Sequence, residues 1–234
     1  MPIAQPLFIF IFALMLHYPF ASLHALEQPQ INVYGYHSAP PFVTNSQSKT
    51  GLSYEMVRYL NRMANGKLHF HYRQIDRAAL NQLLANDQPA IVLWATHMGF
   101  GGNHDTQYLW SPALFNDSEV IVVSRESPLI IRSLSDLEGK VLAARDGYRY
   151  DGIDKMVSAG HVTRINSSSD KLNLERVIKA QAHFSVISKS SLLYFSRQSP
   201  LVEKLKLAPF VVHKNQQRHL LVTHHYSQYF AELN

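Results

Sequence analysis

The chain has 234 residues, of which 46% are hydrophobic and 17% charged, proportions that exclude a disordered or fibrous protein and leave room for a sizeable core. Its net charge of +5 is spread over single Lys and Arg residues from Lys49 to Arg218, and without a basic run there is no case for nucleic-acid binding. Cysteine is absent, which excludes disulfides, thiolate metal sites and thiol nucleophiles.

In chain order, Leu7 to Leu16 is an uncharged apolar run. It is too short to span a membrane, which takes about 20 residues, and suits the core of a signal peptide. Cleavage after Ala25, or alternatively Ala21, would start the exported, periplasmic chain near Leu26; an uncleaved anchor or a buried helix is the competing reading. Ile31, Val33 and Gly35 then alternate as one face of a strand, which Pro40 and Pro41 end because proline cannot continue a sheet ladder. Leu52, Met56, Val57, Leu60, Met63 and Ala64 recur at helical spacing, and Leu68, Phe70 and Tyr72 alternate as a strand. Asp76 can cap a helix carrying Leu80 and Leu84, and Ala90 to Ala95 reads as a buried parallel strand.

Gly99 to Asp105 has the composition of a loop, and Val120 to Val123 is a second apolar strand. Further strands are predicted at Val141 to Ala144, His161 to Ile165 and Phe184 to Ile187, with helices around Ile153 and Leu174 between them. Separate apolar segments follow at Leu205 to Ala208 and Leu220 to Thr223. This βαβ alternation argues for α/β architecture with doubly wound parallel sheets.

The strand, the Ala39-Pro40-Pro41-Phe42 corner and the helix start Thr50-Gly51-Leu52-Ser53-Tyr54-Glu55-Met56 resemble the mature N-terminus of the bacterial solute-binding proteins of family 3. The turn Asp136-Leu137-Glu138-Gly139-Lys140 is similar to that family's entry into its second lobe. The resemblance implies a two-lobed type II periplasmic-binding-protein-like fold, its lobes joined by two crossover strands at Ser118 to Ser124 and His219 to Thr223. Residues 26–118 and 219–234 would form lobe 1, with a short C-terminal helix, and residues 119–218 lobe 2. Ile31 to Ile91 and the segment after Leu220 would share one lobe, and Val141 to Ile187 would lie in the other.

The resemblance also implies a small-molecule solute held between the lobes of a monomer, for delivery to an inner-membrane transporter or to a sensor. It implies no cofactor and no catalysis. A degenerate interaction protein, or an enzyme on the same scaffold such as a dehydratase, are the other readings. The family's carboxylate-binding Arg falls at Gly102 or Asn103, its ammonium-binding Asp at Ser188 and its aromatic residue at Ala39. A free α-amino acid would therefore lack its charge partners, whose loss costs several kcal/mol for a desolvated charge.

Candidate ligand contacts are those just beyond strand ends, where open α/β sheets bind ligands. In lobe 1 these are Tyr36, Phe42, Trp94 and Thr96, with core packing the competing reading for Phe42 and Trp94. In lobe 2 they are Arg145, Tyr148 and Arg149, on a loop that opens a helix, and Ser188. His69 and His71 share one strand face, but no third ligand at metal-site spacing accompanies them. No Gly-x-Ser-x-Gly, His-Glu-x-x-His or phosphate-loop pattern occurs.

Overall fold

The structure, a computed structural model, describes residues 28–101 and 106–230. The expected leader and its cleavage site, together with Gly102 and Asn103, lie outside the described residues.

Strand β1 (Gln30–Gly35) turns Ile31, Val33 and Gly35 inward. It pairs in parallel with β2 (His69–Gln74) on one side and β3 (Ile91–Ala95) on the other. Helix α1 (Leu52–Ala64) buries Ser53, Val57, Leu60 and Ala64. Its buried face is rotated from the predicted one: Leu52 and Met63 are 40% and 62% exposed, and Ser53 takes an inner place. The cause is polar, since the Trp94 indole N–H donates to Ser53 Oγ at 2.9 Å. Gly51 makes the helix entry possible. Its φ is 123°, and a Cβ there would lie 2.5 Å from the Phe42 carbonyl oxygen, so only glycine fits. Helix α2 (Arg77–Ala85) starts as predicted, with the Asp76 carboxylate accepting from the Ala79 amide at 2.7 Å.

Strand β3 is buried throughout. Its register against the neighbouring strand slips between Val92 and Ala95, and Trp94 has φ 61°. A bulky residue in the left-handed region marks local strain. The bulge turns the Trp94 ring into the same core as Leu93 and re-aims the backbone at the end of the strand.

Strand β4 (Tyr108–Trp110) was not foreseen, whereas β5 (Phe115–Ser124) contains the predicted apolar run. Next come β6 (Lys140–Arg145), α3 (Ile153–Ser158), β7 (Val162–Ser167), α4 (Asp170–Ile178), β8 (Phe184–Ser188) and α5 (Lys189–Gln198). Helices α4 and α5 are capped by the hydroxyls of Ser169 and Ser188. Among the described residues the last strand is β9 (Leu205–Thr223), followed by a short helix, α6 (Ser227–Phe230).

Two sequence expectations need correction here. The segments Leu205 to Ala208 and Leu220 to Thr223 are one strand of 19 residues, because the polar stretch between them is held by backbone pairing to β5. The sheets are also mixed: β5 and β9 run antiparallel to their neighbours, as strands that pass between lobes must. Strand pairing consequently runs without a break in the order β2-β1-β3-β9-β5-β8-β6-β7, with β4 on β9.

The cores, rather than the hydrogen-bond ladders, divide the molecule. Ile31, Val33, Phe42, Val57, Leu93, Trp94, Leu220 and Val222 pack in one cluster, and Leu80, Val92, Phe100 and Leu221 in a second on the other face of the same sheet. Ile121, Leu142, Ile153 and Phe184 fill one core of the other half, and Val120, Val122, Leu174 and Leu205 its opposite face. Each half is thus a sheet with packing on both faces, and β9 belongs to both.

Candidate functional site

A cavity of about 990 Å³ lies between the two halves, at the upper end of the size range of small-molecule sites. Tyr36, Ser38, Arg77, Thr96 and Gly99 line it from lobe 1; Arg145, Gly147, Tyr148 and Arg149 line it from lobe 2; Glu119, His213 and Arg218 come from the two crossing strands. A pocket of about 30 Å³ lies beside it, sharing His37, Glu119, Tyr148 and Arg218 and adding Phe42, Asp170 and Ser188.

The floor is built on Arg218, which is 5% exposed. Its guanidinium donates to the Trp94 carbonyl at 3.3 Å and to His37 Nε2 at 3.2 Å, and it stands 3.7 Å from the Asp117 carboxylate. Burial, and then the charge of Arg218, hold His37 well below the usual imidazole range. A neutral His37 can accept from Arg218. The Tyr36 hydroxyl donates to the same Trp94 carbonyl at 3.4 Å. The β3 bulge therefore directs one carbonyl to two floor residues.

The two walls touch across the cleft. Arg145 donates to Ser38 Oγ at 2.7 Å, and the Ser191 hydroxyl donates to the Pro40 carbonyl. Arg145 is held over the Tyr148 ring, 5.2 Å from its centroid, and lies 4.0 Å from the Asp170 carboxylate. Burial pushes the Asp170 carboxyl up to about 6, against the pull of Arg145, and pushes Tyr148 up to about 12. Glu119 binds His213 Nδ1 at 2.7 Å, and that hydrogen bond raises His213 above the usual imidazole range.

Of the sequence-predicted contacts, Tyr36, Thr96, Arg145, Tyr148 and Arg149 line the larger cavity. Phe42 lines only the small pocket and is 2% exposed, stacked with His37 and near Trp94 and Phe115. Trp94 lines neither cavity; its ring is 3% exposed in the lobe-1 core. Ser188 reaches only the small pocket, and its hydroxyl is occupied as the α5 cap, bonded to the Ser191 amide and hydroxyl. Thr96 and Ser188 thus line adjoining cavities rather than one. The core-packing reading describes Trp94 and Phe42 better than ligand contact does. Among the described residues no group of three potential metal ligands occurs, and His69 and His71 stack edge-on with centroids 4.4 Å apart.

Sequence reasoning missed His37, Ser38, Arg77, Asp170 and Arg218. Arg77 carries no local signal beyond following the cap residue Asp76. Arg218 sits in the polar stretch that concealed the middle of β9.

No protein-family model matches the chain, and no curated protein matches it. Solved structures do. An ancestral arginine-binding protein bound to arginine superposes with a TM-score of 0.66 at 16% identity, covering 88% of this chain and 90% of its own. The GluR0 ligand-binding core from Nostoc punctiforme, in complex with L-glutamate, gives 0.63 at 15% identity over 87% and 89% of the two chains. The substrate-binding protein of an amino acid ABC transporter gives 0.59 at 15% identity over 88% and 90%. The chain therefore has the two-lobed α/β fold of type II periplasmic binding proteins, the fold that the sequence resemblance implied. At such identities it is the fold that is shared.

Proposed function

We propose that the protein is a non-catalytic receptor that closes its two lobes on a small polar organic solute other than a free α-amino acid. It works after export to the periplasm, as a monomer that serves uptake or sensing with an inner-membrane transporter or sensor. Lobe 1 comprises residues 26–118 and 219–234, and lobe 2 residues 119–218. The observation that carries the reading is the cavity of about 990 Å³ walled by both lobes and both crossing strands, with Arg145 bonded across it to Ser38. A solute touching both walls stabilises the closed arrangement over an open one, which is how binding becomes a change of shape.

The fold likeness to binding proteins supports this reading, and among the described residues no helix is long and apolar enough to cross a membrane. Native mass spectrometry of protein purified without denaturation, paired with small-angle scattering before and after solute addition, tests it. A carried small molecule, and compaction on its return to stripped protein, is the expected result. Identical scattering with and without every solute of a mixed library of acids, amines and sugars would overturn the reading.

A further inference from the structure

The lobe-1 wall holds a cation whose environment differs from every other charge in the cleft. Arg77, the first residue of α2, is half-buried, with its guanidinium 4.0 Å from the Phe100 ring centroid and 5.2 Å from that of Tyr36. Its Nε donates to Asn81 Oδ1 at 2.9 Å and its Nη2 to the Gly99 carbonyl. Rings on its face and two anchored nitrogens fix the plane of the fork. Its Nη1 has no hydrogen-bond partner among the described residues, and no carboxylate of those residues lies within 4 Å of the guanidinium nitrogens. A Cβ built on Gly99 would stand 3.5 Å from that Nη1 and 3.0 Å from Thr96 Oγ1, so the open donor and the threonine hydroxyl border one spot. Thr96 Oγ1 accepts from the Gly99 amide at 3.2 Å, which leaves its O–H free to donate outward.

The buried and half-buried charges that line the cleft on the other elements are already matched. Arg145 has Asp170, Arg218 has Asp117, and Glu119 has His213. Asp154 is taken by Arg164 at 2.9 Å and Asp76 by its own helix. Asp146 and Asp151 lie exposed on the lobe-2 side together with Arg149 and Lys155. Among the described residues, lobe 1 therefore presents a preorganised guanidinium without an acidic partner, and neither wall presents an unpaired buried carboxylate.

From this the geometry points to a carboxylate-bearing solute without an α-ammonium group, an organic acid whose carboxylate seats on Arg77 Nη1 and the Thr96 hydroxyl. A planar guanidinium held by aromatic faces is suited to that group. An ammonium beside the carboxylate would meet Arg145 and Arg218, and the acids of the cleft that neither form an ion pair nor cap a helix, Asp146 and Asp151, lie exposed on the opposite lobe rather than beside Arg77. The inference rests on the cleft's being the solute site, and it narrows that reading to a ligand class reached through a residue on α2.

The test uses probes with one carbon skeleton: succinate, L-aspartate, which adds the ammonium, and 1,4-diaminobutane, which replaces both carboxylates by amines. Citrate and benzoate extend the acid series. Calorimetry on the full chain should show at least one of the three acids binding at least tenfold tighter than L-aspartate and the diamine. Arg77→Gln should weaken that acid at least tenfold, Arg77→Lys by less, and Arg73→Gln, on the outer face of β2, within twofold of wild type. Thermal melts of each variant separate lost binding from lost folding, and the Lys variant keeps the charge should the Gln variant fail to fold. Tighter binding of the amine or the zwitterion, equal acid binding by Arg77→Gln, or no acid binding at all overturns the inference. In each case compaction with some other solute would leave the receptor reading intact.

Discussion

Arg218→Met is expected to destabilise the protein out of proportion to its size. In the structure the guanidinium is 3.7 Å from the Asp117 carboxylate, whose side chain is only 2% exposed. At an effective dielectric of about 20, that separation corresponds to about 4 kcal/mol of attraction, within the range of losses seen when one member of a buried pair is removed. Asp117 keeps its bonds from the Ser118 amide and from the Ser190 amide and hydroxyl, so the site does not empty; it retains an uncompensated charge. For a chain of this size the loss corresponds to a fall in Tm of about 10 °C, read by circular dichroism at neutral pH. The double variant Asp117→Asn with Arg218→Met removes both charges and should recover at least half of that fall, a coupling that a double-mutant cycle measures directly. A single variant melting within about 3 °C of wild type, or a double variant no better than the single, would refute the argument.

Asp170→Asn should change the pH dependence of stability. Burial raises the folded carboxyl to about 6, so the folded state prefers it protonated. Its contribution is full below the unfolded pKa near 4 and is lost as pH rises through 6, a span of about 2 kcal/mol between pH 4 and 7. His213 acts in the same sense and His37 in the opposite one, so the measured quantity is the gap between wild type and variant in urea unfolding. A gap that stays constant from pH 4.5 to 7.5 would be the wrong outcome. Gly51→Ala should cost about 1–3 kcal/mol through its positive φ and the clash with the Phe42 carbonyl, and no loss in denaturant midpoint would contradict that. Ser38→Ala removes an acceptor from Arg145 across the cleft and should weaken the closed state by about 1.5–3 kcal/mol. It should raise the radius of gyration in scattering while leaving Tm nearly unchanged; an unchanged radius would show that the bond does not hold the lobes.

The parts legible in the sequence were those with short periods or strong local chemistry. The alternation of Ile31 and Val33, the Asp76 cap and the continuous run Ile91 to Ala95 each report burial within a few residues. β9 was not legible as one strand, because His213, Gln216 and Gln217 are kept in place by pairing with β5, a partner about a hundred positions away. The site divided in the same way. Loop residues at strand ends, such as Tyr36, Thr96 and Tyr148, could be placed by topology. Arg77 and Arg218 could not, since nothing near them in the chain shows that α2 and β9 bring them to one end of β1. Trp94 stood among the strand-end candidates with core packing as its competing reading, and the bulge that turns its ring inward is not visible in the sequence.

The shared strand β9 also sets an order on assembly. Ala90 bonds to Thr223, 133 positions later, and Leu220, Leu221 and Val222 complete the cores under α1 and α2. Lobe 1 cannot close its sheet until synthesis has reached that point, whereas every strand of lobe 2 lies between Phe115 and Arg218. Contacts of such separation are slow to form, so lobe 2 should gain amide protection first in pulse-labelled refolding. The late arrival of three apolar residues then completes the cores on both faces of the sheet that holds β1, β2 and β3.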